Sequence, residues 1–251
     1  MISHVTHKDK TWLTAHPEFE LNNEQVDSLK EKIDLLLEGV PLPYLIYRQS
    51  FYNLDFHVTQ DVLIPRPETE LMVEEAIKWL YENEGRKIAA DVGTGSGCIA
   101  ISIANEIQDI NFIATDISFA ALQIARENAI SHQVYDRIQF MQTDLLDGIQ
   151  TQFDLICANL PYIPTTKLMD LPVSRYEPII ALDGGEDGFT YNDQLLRVAP
   201  RQLAPRGLLL MEFESPQAEN IERKAKGVFP SAEIEILNDL AGLPRLLKIH
   251  I

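Results

Sequence analysis

Two cysteines in 251 residues leave little scope for sulfur chemistry. Cys98 and Cys157 stand far apart, with no CxxC pair and no Cys/His cluster, so neither a disulfide framework nor a zinc site is indicated. Both fall in apolar runs and read as small core residues. Basic residues are scarce too: 21 lysines and arginines face 38 aspartates and glutamates, a formal net charge of −17. A surface that grips a phosphate backbone shows a basic footprint, so direct nucleic-acid binding is not expected. No stretch approaches the roughly 18 apolar residues of a membrane span. The opening "MISHVTHKDK" also lacks the apolar core of a secretory signal. A soluble, cytoplasmic, monomeric protein with no membrane contact is the expectation.

What is present, 45% hydrophobic and 24% charged residues, is ordinary globular composition. The length suits one good-sized domain with a small appendage. In "NNEQVDSLKEKIDLLLEG" the apolar positions Val26, Leu29, Ile33, Leu36 and Leu37 recur every three or four residues and Gly39 offers a stop. That is the one helix expected before residue 40. "PLPYLIY" then breaks the helix with two prolines, and β-prone runs around Asn53-Leu54-Asp55 and Thr59-Gln60-Asp61 predict a hairpin. Pro67 suits a first helical position, Glu68 and Glu70 favour the positive end of the helix dipole, and Gly85 ends that helix.

From residue 88 strands and helices alternate. Strands are expected at "KIAADVG", "NFIATD", "RIQFMQTD", "FDLICAN" and "GLLLMEF", and at the terminal pair "AEIEIL" and "RLLKIHI". Helices are expected at "GCIAISIANEI", "SFAALQIARENAISH", 191–203 and 216–226, with an irregular stretch over 163–190. The predicted fold class is α/β, a doubly wound, mostly parallel seven-stranded sheet with an antiparallel edge strand. The expected organisation is a small helical region over 1–48, a β-hairpin linker over 49–66, and the sheet domain over 67–251.

The first sheet strand ends in "DVGTGSGC". Gly93, Gly95 and Gly97 let the chain turn sharply and approach a ligand closely, and the next helix aims free N–H groups at the same place. The second strand ends in Asp116, 23 residues after Gly93, near the spacing of an acid that binds ribose hydroxyls. The third ends in Thr143-Asp144, a further carboxylate at the same edge, placed to accept from an adenine amino group. Together they read as a nucleoside site. The Gly-x-Gly-x-Gly phase differs from the dinucleotide fingerprint, and no P-loop lysine is present. Asp91 would repel a pyrophosphate and favour a ligand with a positive end, which S-adenosylmethionine has. Over 88–251 the chain resembles the class I methyltransferases.

The fourth strand delivers Asn159-Leu160-Pro161-Tyr162 beside that site. The tetrapeptide resembles the (N/D/S)-x-P-(Y/F/W) motif of methyltransferases acting on a nitrogen conjugated to a planar group. Such a nitrogen is a poor nucleophile. The Asn159 side-chain oxygen and the Leu160 carbonyl are placed to accept its two N–H bonds and align it with the methyl carbon, while Pro161 stiffens the turn and Tyr162 offers a stacking face. In-line displacement of this kind calls for no metal.

Three other stretches carry a narrower likeness: "VLIPRPETELMVEEA", "YEPIIALDGGEDGFTYNDQLL" and "DLAGLPRLLKI". With them, residues 44–251 resemble the protein-(glutamine-N5) methyltransferases of peptide-chain release factors. The resemblance implies S-adenosyl-L-methionine as cofactor, S-adenosyl-L-homocysteine as product, and a release factor as the protein partner. Its glutamine in Gly-Gly-Gln would be the acceptor, and the 1–48 region would help recognise it. By position, Gly93, Thr94, Gly95, Ser96 and Gly97 would meet the methionine part and Asp116 the ribose. Asp144 and Leu145 would lie by the adenine, Asn159 to Tyr162 would hold the glutamine, and Arg66 and Glu68 would border the pocket. The family usually reads Asn-Pro-Pro-Tyr, so Leu160 costs the turn some rigidity. Asn-Leu-Pro-Tyr is also a spelling of ribosomal RNA adenine dimethyltransferases, which keeps adenine N6 methylation of rRNA or DNA as the alternative.

Overall fold

The computed structural model describes residues 1–85 and 87–251. These form two compact units, Met1–Arg48 and Gln49–Ile251. The smaller unit holds four helices, α1 (Ile2–Thr6), α2 (Lys10–Ala15), α3 (Asn23–Leu37) and α4 (Leu42–Ile46), where the sequence pattern predicts one. Helices α1 and α2 are five and six residues long, too short for a 3.6-residue apolar period to register. A cap marks α2 instead, since the Asp9 side chain accepts the Trp12 N–H at 2.6 Å. At α3, Asn22 and Gln25 form a reciprocal capping box. The prolines of "PLPYLIY" start α4 rather than breaking the chain. Pro41 is its N-cap and Pro43 sits in the first turn, where a missing N–H costs nothing.

The larger unit opens with an antiparallel hairpin of β1 (Gln49–Phe51) and β2 (Leu54–Phe56), turned by Tyr52 and Asn53 at φ 46° and 59°. A 3₁₀ turn, Pro67–Thr69, leads into α5 (Glu70–Glu82). Next come β3 (Lys87–Val92), α6 (Cys98–Glu106), β4 (Ile110–Asp116), α7 (Phe119–Ser131), β5 (Ile138–Gln142) and β6 (Phe153–Ala158). The expected irregular stretch contains α8 (Thr165–Leu168) and two 3₁₀ turns. Then follow α9 (Thr190–Gln202), β7 (Leu203–Glu212), α10 (Ala218–Val228), β8 (Glu233–Asn238) and β9 (Pro244–His250).

The seven strands are ordered β5-β4-β3-β6-β7-β9-β8, the first five parallel and β9 antiparallel to both its neighbours. The terminal hairpin thus closes one edge as the sequence predicts, with the last strand as its inner member. Side chains alternate across the sheet. Ala90, Val92, Ile156, Ala158, Leu209 and Met211 turn to Leu195, Leu196 and Ala199 of α9 and Ile221 and Ala225 of α10. The intervening Asp91 and its neighbours face α6, and β6 and β7 also meet α5. Both sides of the sheet are therefore covered, and Cys98 and Cys157 are free thiols inside the core. Among the described residues, no helix is long and apolar enough to cross a membrane.

Asn128, buried on α7, holds distant segments together. Its Oδ1 accepts the His57 N–H at 2.7 Å, and its Nδ2 donates to the carbonyls of His57 at 3.0 Å and Ser96 at 2.9 Å. Asn128→Leu is close in volume yet leaves those backbone groups unpaired. It should lower the unfolding free energy by about 2 kcal/mol or more, measured by urea denaturation.

Candidate active site

Strand order reverses at β3, which pairs with β4 on one side and β6 on the other. In such sheets the crevice opens at the carboxyl ends of the strands around this point. A pocket lies there, with about 1050 Å³ of space between protein atoms, its open mouth included. The turns after β3, β4, β5 and β6 form much of its wall, together with the segment 61–69, Ile180–Ala181 and Tyr191.

Of the residues singled out in the sequence, Arg66, Gly93, Thr94, Gly95, Ser96, Asp116, Asp144, Leu145, Asn159, Leu160 and Pro161 meet on this wall. Glu68, Gly97 and Tyr162 are not part of it. A Cβ on Gly97 would come within 2.8 Å of Ile101 Cδ1 and 3.2 Å of Ala125 Cβ, so this glycine lets α6 pack on α7. Glu68 is exposed. The Tyr162 hydroxyl donates to Glu212 Oε1 at 3.4 Å.

On the glycine-turn side, Asp116 accepts the Gly95 N–H on Oδ2 at 2.9 Å and the Ser118 N–H on Oδ1 at 2.8 Å. Burial holds its pKa above the ordinary carboxylate value despite these bonds. A Cβ on Gly95 would meet no protein atom within 4 Å, so the space above this turn belongs to the pocket. Leu145 takes a left-handed φ of 47° beside the exposed Asp144. Asp91 lies behind the glycine turn, fully buried and off the pocket wall. Its Oδ2 accepts the Thr94 hydroxyl at 2.7 Å and the Ala100 N–H at 3.2 Å, which ties the turn to the start of α6. Its Oδ1 is buried with no partner among the described residues. Any attraction it exerts on a cation is thus exerted through the turn rather than by contact.

On the opposite wall, the Asn159 carboxamide donates from Nδ2 to Thr69 Oγ1 at 3.0 Å, and the Thr69 hydroxyl donates to Glu212 Oε2 at 2.7 Å. Glu212 ends β7 fully buried, and desolvation pushes its pKa up to about 7. Leu160, the departure from Asn-Pro-Pro-Tyr, has its side chain inside the core at 3% exposure. A Cβ on Gly93 would come within 3.0 Å of that side chain. Packing therefore anchors the turn where a second proline ring is missing. The backbone of "LDGGEDG" lies directly on this turn. A Cβ on Gly184 would reach 2.8 Å from the Pro161 carbonyl oxygen, and one on Gly188 would reach 2.3 Å from that of Tyr162. Arg66 is held by buried Glu177, whose Oε1 it meets at 2.5 Å while Oε2 accepts the Ile64 N–H at 3.1 Å.

Thr69, Glu177 and Glu212 were missed in the sequence. Each lies in a stretch that signalled something else: Thr69 in a helix start, Glu177 in an irregular run, Glu212 at the end of an apolar strand.

The sequence profile of the PrmC N-terminal domain matches residues 1–46, and that of the Methyltransferase small domain matches 69–173. The release factor glutamine methyltransferase of Moorella thermoacetica is 41% identical over 93% of this chain and 83% of its own length. The chain belongs to the release factor glutamine methyltransferase family. The protein of that name from Coxiella burnetii is 38% identical over 97% of this chain and 87% of its own. Among solved structures, the Thermus thermophilus 16S rRNA N2 G1207 methyltransferase, described in complex with AdoMet and guanosine, aligns at TM-score 0.60. That likeness covers 81% of this chain and 49% of the other at 15% identity, and speaks for the fold alone.

As a member of this family, the chain is an S-adenosylmethionine-dependent methyltransferase, and its pocket fits that cofactor. Asp61, Asp116 and Asp144 line it against one guanidinium, Arg66, which Glu177 already neutralises. An acidic lining favours a ligand carrying both an ammonium and a sulfonium.

Burial of Asp91 raises its carboxyl from 3.8 to about 6. The folded protein therefore binds this proton more tightly than the unfolded chain. The stability it contributes is full below about pH 4 and is lost as pH rises through about 6. Asp91→Asn should consequently lose less stability than the parent between those limits, as read from urea unfolding across the range.

Proposed function

We propose that this enzyme transfers the methyl group of S-adenosyl-L-methionine to N5, the side-chain amide nitrogen, of the glutamine in the Gly-Gly-Gln motif of peptide-chain release factors. One observation carries the reading. The Asn159-Leu160-Pro161 turn shares a single pocket with Gly93–Ser96 and Asp116, in a chain whose relatives are named release factor glutamine methyltransferases.

In this reading Gly93 to Ser96 hold the methionine part of the cofactor, with Gly97 supporting the turn from behind. Asp116 receives the ribose hydroxyls, and Asp144 with Leu145 borders the adenine. The cofactor, when bound, would supply an electrophilic methyl on a positively charged sulfur, with S-adenosyl-L-homocysteine as the leaving group. The chain's own work falls on the acceptor. An amide nitrogen has its lone pair delocalised into the carbonyl, so it attacks only when well aligned. Asn159 Oδ1 and the Leu160 carbonyl accept its two N–H bonds, which fixes the nitrogen and stabilises positive charge as it forms its second bond to carbon, after which one N–H proton leaves to solvent. Pro161 keeps the turn rigid, and Tyr162 supports it from the Glu212 side. Arg66 and Glu68 stand at and near the mouth, toward the incoming protein. The helical unit Met1–Arg48 is assigned to recognition of the release-factor body.

The purified protein should transfer labelled methyl from S-adenosylmethionine to a release factor carrying Gly-Gly-Gln, and mass spectrometry should place the label on that glutamine. Asn159→Ala should lower transfer by about 100-fold or more while cofactor binding, read by calorimetry, is retained. Label found in rRNA or DNA and absent from the release factor would sink the protein-substrate reading.

A further inference from the structure

A carboxamide has two ends of similar shape and opposite polarity. An asparagine that clamps an –NH₂ group works in only one orientation, with Oδ1 toward the substrate. The Asn159–Thr69–Glu212 chain contains the information that chooses it. Glu212 is buried, and as a carboxylate it can only accept. The Thr69 hydroxyl has a single proton, donated to Glu212 Oε2 at 2.7 Å. What Thr69 turns to Asn159 at 3.0 Å is therefore a lone pair, and it can be met only by the Nδ2 end. Oδ1 is left for the pocket. We propose that Thr69 and Glu212 are positioning residues that set the polarity of the Asn159 carboxamide, so that the site receives an N–H₂ group rather than a carbonyl. The inference rests on the glutamine-amide reading above.

The device has a second state. Protonated Glu212 can donate to Thr69, whose hydroxyl then turns to Asn159 and draws Oδ1 toward itself, presenting donors to an –NH₂ group that offers only donors. The groups facing Glu212 are Thr69 and Glu68 from the 3₁₀ turn, Tyr162 from the acceptor turn, Arg245 from β9 and Cys98 from α6. Arg245 favours the carboxylate and Glu68 opposes it, while burial raises the carboxyl to about 7. Transfer should accordingly rise with pH through neutrality.

The test is turnover on release factor at saturating substrates across about pH 6 to 8.5, with cofactor binding measured for each variant. Thr69→Val, which fills the space without a lone pair, should lose about 100-fold in kcat at unchanged cofactor affinity, and Thr69→Ser should recover most of it. Glu212→Gln can still present an oxygen to Thr69 but cannot ionise, so its pH profile should be flat where the parent's rises. Parent turnover matched by Thr69→Val, or a rising limb that survives in Glu212→Gln, would overturn the relay. A parent enzyme that leaves release factor unmethylated at every pH would instead overturn the substrate reading.

Discussion

A buried carboxylate must be satisfied, and satisfying Glu212 organises the Asn159 side of this pocket. The group ends an apolar strand with no access to water, where an unpaired charge would cost several kcal/mol. It draws one donor from the segment ahead of α5 and another from the turn after β6. Those donors, Thr69 and Tyr162, belong to two different sequence motifs. Asn159 joins through Thr69. The four residues come from three places in the chain, and the strand carrying Glu212 holds them in register.

A second constraint is close backbone approach. Gly184 and Gly188 lie where any side chain would strike the carbonyl oxygens of Pro161 and Tyr162. The contact is reinforced by the Gly184 N–H to the Ile163 carbonyl at 2.8 Å, and by Gln217, which donates to the carbonyls of both Tyr162 and Gly188. The "LDGGEDG" stretch thus serves as a brace for the turn after β6. Since this brace and the buried Leu160 side chain both hold the turn, one proline suffices where the family usually has two.

The two halves of the pocket use opposite strategies. The glycine-turn side is shaped by backbone, with φ values of 73° and 54° at Gly93 and Gly95 and the Gly95 N–H donated to Asp116. On the Asn159 side, one side chain is oriented by another, Asn159 by Thr69 and Thr69 by Glu212. A carboxamide that must present its oxygen needs to be held in one orientation, which a further side chain can enforce.

Much of this was legible in the sequence because it is local. Strand and helix periodicity, the glycine turn, Asp116 at the end of β4 and the Asn159 turn after β6 are each encoded within a few residues. In a parallel sheet, that placement brings them to one edge. The short helices α1, α2 and α4 escaped because caps and proline positions define them rather than apolar period. Tyr162, Glu68 and Gly97 look like pocket residues in a motif, yet their directions depend on what packs behind them. The roles of Thr69, Glu177 and Glu212 belong to the tertiary structure alone, since their partners lie between 90 and 143 residues away for Thr69 and 111 residues away for Arg66 and Glu177. No local pattern records a hydrogen bond between groups so distant in the chain. The sequence by itself determined that the Asn159 turn and the glycine turn stand at one edge of the sheet, and only the folded chain decided which way the asparagine faces.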